Sequence, residues 1–120
     1  MSILNFIKRV CVQPAVYWEP SGYTGFGSAE YHEPREIMVR WDDVAEKITN
    51  NNGEEVVSRS RLLVQEQLAF KGYLWLGELK DVTIEKRFDP RLLEDAYEIQ
   101  RTLKTPLFRS VYKFVYEVYL

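Results

Sequence analysis

One cysteine and one histidine in 120 residues leave little material for metal or thiol chemistry. Cys11 has no second cysteine with which to form an internal disulfide. His32, flanked by Glu30 and Glu33, falls short of the imidazole and thiolate donors that a zinc site takes. Nucleophilic catalysis meets the same shortage, because a Ser or Cys needs a base beside it and His32 lies in a glycine-rich context without a strand-to-helix elbow. No GxxxxGK[ST] run is present, and Gly25-Phe26-Gly27 lacks the third glycine and following helix of a dinucleotide fingerprint. Long apolar runs are missing too: none approaches the ~18 residues of a membrane span. The amino-terminal MSILNFIKRVCV has neither the apolar centre nor the small-residue cleavage pattern of a secretory leader. The expectation is a protein without catalytic, metal or cofactor sites, made in a reducing cytosol and away from membranes.

Charge of one sign is also lacking. Sixteen Lys plus Arg stand against eighteen Asp plus Glu, and the formal net charge of −2 offers no general attraction for a phosphate backbone. DNA could pass nearby, but it would not be gripped or read.

Aromatic side chains are abundant: three Trp, eight Tyr and six Phe. Each ring removes roughly 150–250 Å² from water when buried, so one domain of this length can build a core without disulfides or metal. The stretch from Gln13 to Trp41 is the most informative. Two strand-like runs, Ala15–Trp18 and Glu36–Trp41, flank a connection, residues 19–35, that holds Gly22, Gly25 and Gly27. The glycines predict a long mobile loop, and Tyr23 and Phe26 on it carry apolar surface suited to contact with another chain. Tyr31 and His32 close the same loop, and the whole set Gly22, Tyr23, Gly25, Phe26, Gly27, Tyr31 and His32 reads as a contact device. A run of carboxylates, Glu30, Glu33, Glu36, Asp42, Asp43 and Glu46, is opposed only by Arg35 and Arg40. Glycosidase chemistry would need these in a cleft, which so small a barrel seldom has. An acidic surface is expected instead, and as a channel lining it would repel DNA.

Period-two alternation dominates the rest. Ile37, Val39 and Trp41 alternate with Glu36, Met38 and Arg40. Val44–Thr49 gives a weaker strand, Asn50-Asn51-Asn52-Gly53 a hairpin turn, and Glu55–Gln67 a long strand bent near Ser58–Ser60. Tyr73–Leu76 is a further strand, with a short one over Leu79–Ile84. Asp89 caps a helical turn at Pro90–Glu94, followed by a strand at Ala96–Thr102, although Leu92, Ala96, Ile99 and Leu103 would also fit a continuous helix. Arg109–Leu120 alternates cleanly, with Tyr112, Phe114, Tyr116, Val118 and Leu120 on one face. At the other end Ile3, Phe6, Ile7 and Val10 suit one or two helical turns within residues 1–12, as an arm or a cap. The sum is a mainly β chain: a small single-domain β-barrel with six or seven strands in one sheet, a long loop between its first strands and one or two short helical segments, with Trp18, Trp41, Trp75, Tyr112, Phe114 and Tyr116 in the core.

Taken in order, QPAVYW, the GYTGFG loop, EPREIMVRW, GEEVVSR and GYLWLGEL resemble the head-closure proteins of tailed bacteriophages, also called head-completion, stopper or head-to-tail joining proteins. The resemblance covers roughly Gln13 to Leu79 and rests on an ordered set of aromatics, glycines and strand patterns, with no single diagnostic motif. It implies a β-barrel virion protein at the head–tail interface, made in the bacterial cytoplasm and assembled as a homo-oligomeric ring of 6 or 12 copies beneath the portal and adaptor. Such rings close the DNA-filled head and offer the surface on which the tail or tail-terminator protein docks, while packaged DNA passes through. On this reading residues 22–32 match the family's long loop, and Trp18, Trp41 and the Gly72–Gly77 run match barrel positions. Ser2–Val10 and Phe88–Thr105 match no pattern of the family. Another neck or tail-completion protein, or a small cellular β-barrel protein-binding module, remains open from the residues alone.

Overall fold

Alternation does lay down the core. The computed structural model describes residues 9–23, 25–106 and 114–120. Strand β1 (Gln13–Trp18) is its centre, because Ala15, Val16, Tyr17 and Trp18 are all buried. Its two faces serve different clusters. Ala15 and Tyr17 join Val39, Leu62, Val64, Leu68, Leu74, Ile99, Val118 and Leu120 in the main core. Val16 and Trp18 point the opposite way and pack with Val82. A central antiparallel strand covered on both sides reads as a continuous apolar run, as QPAVYW does.

A ribbon, β2 (Pro20–Tyr23) and β3 (Ala29–Tyr31), follows β1. The chain then runs through β4 (Arg35–Asp42), a hairpin of β5 (Glu46–Thr49) and β6 (Glu55–Ser58), β7 (Arg61–Val64) and β8 (Tyr73–Leu76). Strands β9 (Ala96–Glu98), β10 (Arg101–Pro106) and β11 (Phe114–Tyr119) complete it. Seven strands form one curled antiparallel half-barrel in the order β10-β11-β7-β4-β1-β8-β9. Its two edge strands are successive pieces of one segment, residues 96–106. At the bend between them, the Ile99 N–H donates to Gly72 O (2.7 Å) and the Gln100 N–H donates to Tyr119 O (2.7 Å). One bent segment thus ties β8 to β11, with Ile99 fully buried at the crossing. The bend brings the two ends of the sheet together without pairing β9 to β10, so the sheet stays a half-barrel.

The expected bend near Ser58–Ser60 is a complete break: the single strand expected over Glu55–Gln67 is β6 and β7, in different sheets. The two buried hydroxyls explain it. Ser58 Oγ donates to Leu120 O (2.9 Å) and Ser60 O (3.0 Å), and Ser60 Oγ donates to Asp43 Oδ1 (2.7 Å). Polar groups without water need such partners, and here they hold Leu120 in the kink. The Asn50–Gly53 turn forms as expected, with Asn50 Oδ1 accepting from the Asn52 and Glu54 backbone N–H groups, both at 2.9 Å.

Three sequence expectations need correction. The strand expected at Leu79–Ile84 is absent: residues 79–92 form three 3-10 turns, Leu79–Asp81, Ile84–Phe88 and Pro90–Leu92. The segment is instead fixed by Val82, which is buried against the Val16 and Trp18 side of β1. Ala96–Thr102 is split by the Ile99 bend into β9 and β10. The strands do not all share one sheet, since β2–β3 and β5–β6 form separate ribbons. Asp89 does cap the last 3-10 turn, accepting from the Arg91 N–H. Arg9 and Val10 are helical; Ile3, Phe6, Ile7 and Tyr112 lie outside the described residues, as does the Phe114 side chain.

Candidate functional site

The connection expected as a long loop is itself folded. From β1 the chain rises as β2, turns at Gly25–Gly27 and returns as β3, with a register shift between Pro20 and Gly22 where Gly22 takes φ 134°. Only glycine enters that region cheaply, and such a bulge twists the ribbon. The ribbon carries Tyr23 and Phe26 outward, at 66% and 99% exposure. Its base is pinned. The His32 N–H donates to Glu19 O (2.8 Å), and the Tyr31 ring meets Tyr73 edge-on at 5.6 Å between centroids. Among the contact residues singled out from sequence, Tyr23 and Phe26 are presented by the ribbon, whereas Tyr31 anchors it. His32 is exposed at the base.

A second feature adjoins that base. The strap of 3-10 turns, residues 79–92, is held by the Trp18 indole N–H, which donates to Arg87 O at 2.9 Å. The Arg87 guanidinium in turn donates to Val82 O (3.1 Å) and Leu79 O (3.2 Å). With its inner side so fixed, the strap turns Ile84, Phe88 and Leu92 outward, at 72%, 78% and 56% exposure. Tyr31, His32, Glu33 and Pro34 face Ile84, Arg87 and Phe88 across a cleft of about 520 Å³. Sequence reasoning missed this surface because it took the segment for a strand. No local signal marked it, because the four-residue spacing of Ile84, Phe88 and Leu92 suits one face of a strand as well as one side of a helix.

On the other side of the ribbon, Tyr23, Tyr31, Tyr73, Phe70, Lys71, Arg91 and Glu98 line a shallower groove. Burial, with the Glu98 carboxylate beside it, pushes the Tyr73 hydroxyl up to about 12. Arg91 lies across Asp89, its Nε at 2.8 Å from Oδ1, and the pair holds Asp89 below the usual carboxylate range. These charges are spent on one another, so the groove presents aromatic faces more than net charge.

The carboxylates do not gather. Glu30, Glu33 and Glu36 lie by the ribbon end of β4, whereas Asp42 ends that strand and Asp43 and Glu46 follow it, about 20 Å away at ~3.3 Å per residue. Several are engaged locally: Glu36 accepts from the Leu79 N–H (2.8 Å), and Asp42 pairs with Arg40 (3.5 Å). Asp43 accepts from Ser60 Oγ and from the Trp41 indole N–H (2.9 Å), which hold its carboxyl below the usual range. Of the tryptophans, Trp18 is fully buried, while Trp41 and Trp75 are half-buried and pack against the edges of the main and second clusters. Tyr116 packs against the main core.

Among the described residues no three His, Cys, Asp or Glu side chains come together as a metal site, and no helix is long and apolar enough to cross a membrane. Comparison with protein-family models, with curated proteins and with solved structures finds no match. The chemistry on offer at the ribbon and strap is apolar contact.

Proposed function

We propose that this chain is an assembly subunit of a tailed-phage neck: it forms a ring beneath the portal and adaptor, closes the DNA-filled head and presents the tail's docking surface. The observation that carries the reading is the β2–β3 ribbon, a two-stranded arm on the curled half-barrel that exposes Tyr23 and Phe26 at its end. Large apolar rings held out in water are retained where another surface covers them. The ordered resemblance from QPAVYW to GYLWLGEL supplies the virion context, and the near-neutral charge suits a ring that DNA passes through without adhering. Mild acidity at both ends of β4 fits the same passage.

Size-exclusion chromatography with light scattering, on the chain alone and mixed with the portal–adaptor complex of the genome that encodes it, tests the proposal. Co-elution as a multiple of 6 copies supports it. A chain that ignores the portal–adaptor complex but captures an extended peptide at the ribbon base would instead be a cellular binding module.

A further inference from the structure

The ribbon tip and the strap cleft are complementary, and the fold keeps them apart. Phe26 is the most exposed large apolar side chain described, and Tyr31, Pro34, Ile84 and Phe88 supply apolar surface in the cleft, beside His32, Glu33 and Arg87. From Phe26 to His32 the extended ribbon spans about 20 Å at ~3.3 Å per residue, so a tip cannot reach the cleft at its own base while the β2–β3 ladder holds. Charge matches as well. Residues 20–29 carry no charged side chain. Three cations of the strap have partners: Arg87 donates to two backbone carbonyls, Arg91 pairs with Asp89, and Lys80 pairs with Glu78 (2.9 Å). An uncharged aromatic insert can pack on Tyr31, Pro34, Ile84 and Phe88 without a charged partner of its own.

We propose that the cleft takes the ribbon tip of a second copy of this chain, Phe26 of one copy seating between Phe88 and Pro34 of the next. The contact is head-to-tail: every copy offers one tip and one cleft, and such contacts close into rings when the rotation between copies permits. It deepens the neck-ring reading by naming the surface that joins neighbours. Three rings and one aliphatic chain, Tyr23, Phe26, Phe88 and Ile84, bury roughly 600–900 Å² between them, below the ~1,200 Å² of a stable pair. Each contact is therefore weak alone, and the assembly gains strength from closure or from a scaffold that collects the copies.

Disulfide trapping tests this at millimolar protein, where weak contacts form. Phe26→Cys and Phe88→Cys are prepared separately; Cys11 is buried, so the background thiol is protected. Both replaced side chains are exposed, and unchanged circular dichroism verifies the fold. Mixed under a mild oxidant, the two variants are expected to give several-fold more linked dimer than either alone, and the double variant a ladder of higher oligomers. A mixture no better than Phe26→Cys paired with Val57→Cys, an exposed site on β6, would overturn the proposal. So would Phe26→Cys alone dimerising as readily as the mixture, which would mean tip meets tip. Trapping that succeeds while the portal–adaptor complex is ignored removes the neck reading and keeps this contact; binding to that complex without trapping does the reverse.

Discussion

Trp18 joins the barrel to the strap, and replacing it separates two contributions. The side chain is fully buried among Val16, Val82, Tyr31, Tyr73, Trp75, Leu79 and Leu93, and its N–H satisfies the Arg87 carbonyl. Truncation to alanine leaves a cavity, which costs about 3–5 kcal/mol for a large aromatic, and removes a hydrogen bond worth about 1 kcal/mol net. Against a total stability of about 5–15 kcal/mol, Trp18→Ala should leave little folded protein at 37 °C. Trp18→Phe keeps most of the packing and deletes the donor, for an expected loss of about 2 kcal/mol. Urea denaturation followed by far-ultraviolet circular dichroism gives both values. Hydrogen exchange adds the location: in Trp18→Phe the Asp89 and Leu92 amides, bonded to Lys86 O and Asp89 O in the strap, should exchange faster than global unfolding requires. A loss below about 1 kcal/mol for Trp18→Ala, or strap amides unmoved in Trp18→Phe, would refute this view of how the strap is held.

Three further outcomes follow from single residues. Gly77 has φ 151°, and a Cβ there would overlap the Trp75 ring, so Gly77→Ala should cost roughly 1–3 kcal/mol in the same urea assay, whereas Gly53→Ala, with open space around it, should cost less. Tyr73 is raised from the ordinary 10.0 to about 12 by burial and by Glu98. A folded state that holds the proton more tightly is stabilised fully below pH 10 and loses that contribution as pH rises to about 12, so thermal melts should show a steeper alkaline decline than those of Tyr73→Phe. Asp43 is lowered by its Ser60 and Trp41 hydrogen bonds, so its contribution is present above the ordinary carboxylate pKa and fades as pH falls through the folded value. Asp43→Asn should flatten the acid limb of the stability profile, measured by circular dichroism.

Much of the barrel was legible because period two is unambiguous where one face is buried: Glu36 to Trp41 alternates in sequence and alternates in exposure, and Tyr73–Leu76 matches its strand residue for residue. Breaks were harder to place. Nothing local in Glu55–Gln67 says that Ser58 and Ser60 will hold Leu120, a partner far along the chain, and it is this contact that divides the strand. The same holds at Ile99, whose apolar neighbours suit a helix or a strand until Gly72 and Tyr119 supply the hydrogen bonds on either side of the bend. Glycines between Gly22 and Gly27 suggested a loop because their freedom is a local property; that Tyr31 would lock the ribbon's base on Tyr73 is not. The strap was lost for a like reason, since its fixed point is Trp18, more than sixty residues earlier.

On the proposed neck-subunit reading, removing the ribbon's tip from assembling phage particles is the most direct test. In the genome that encodes this chain, residues Tyr23–Gly27 are deleted, and the particles are counted by electron microscopy and titred. The barrel does not depend on the tip, because its strands pair without it, so the variant protein should stay folded and soluble while the particles are heads that leak DNA or lack tails. Tailed, infectious particles at the normal yield would contradict the claim that this ribbon joins the subunit to its neighbours.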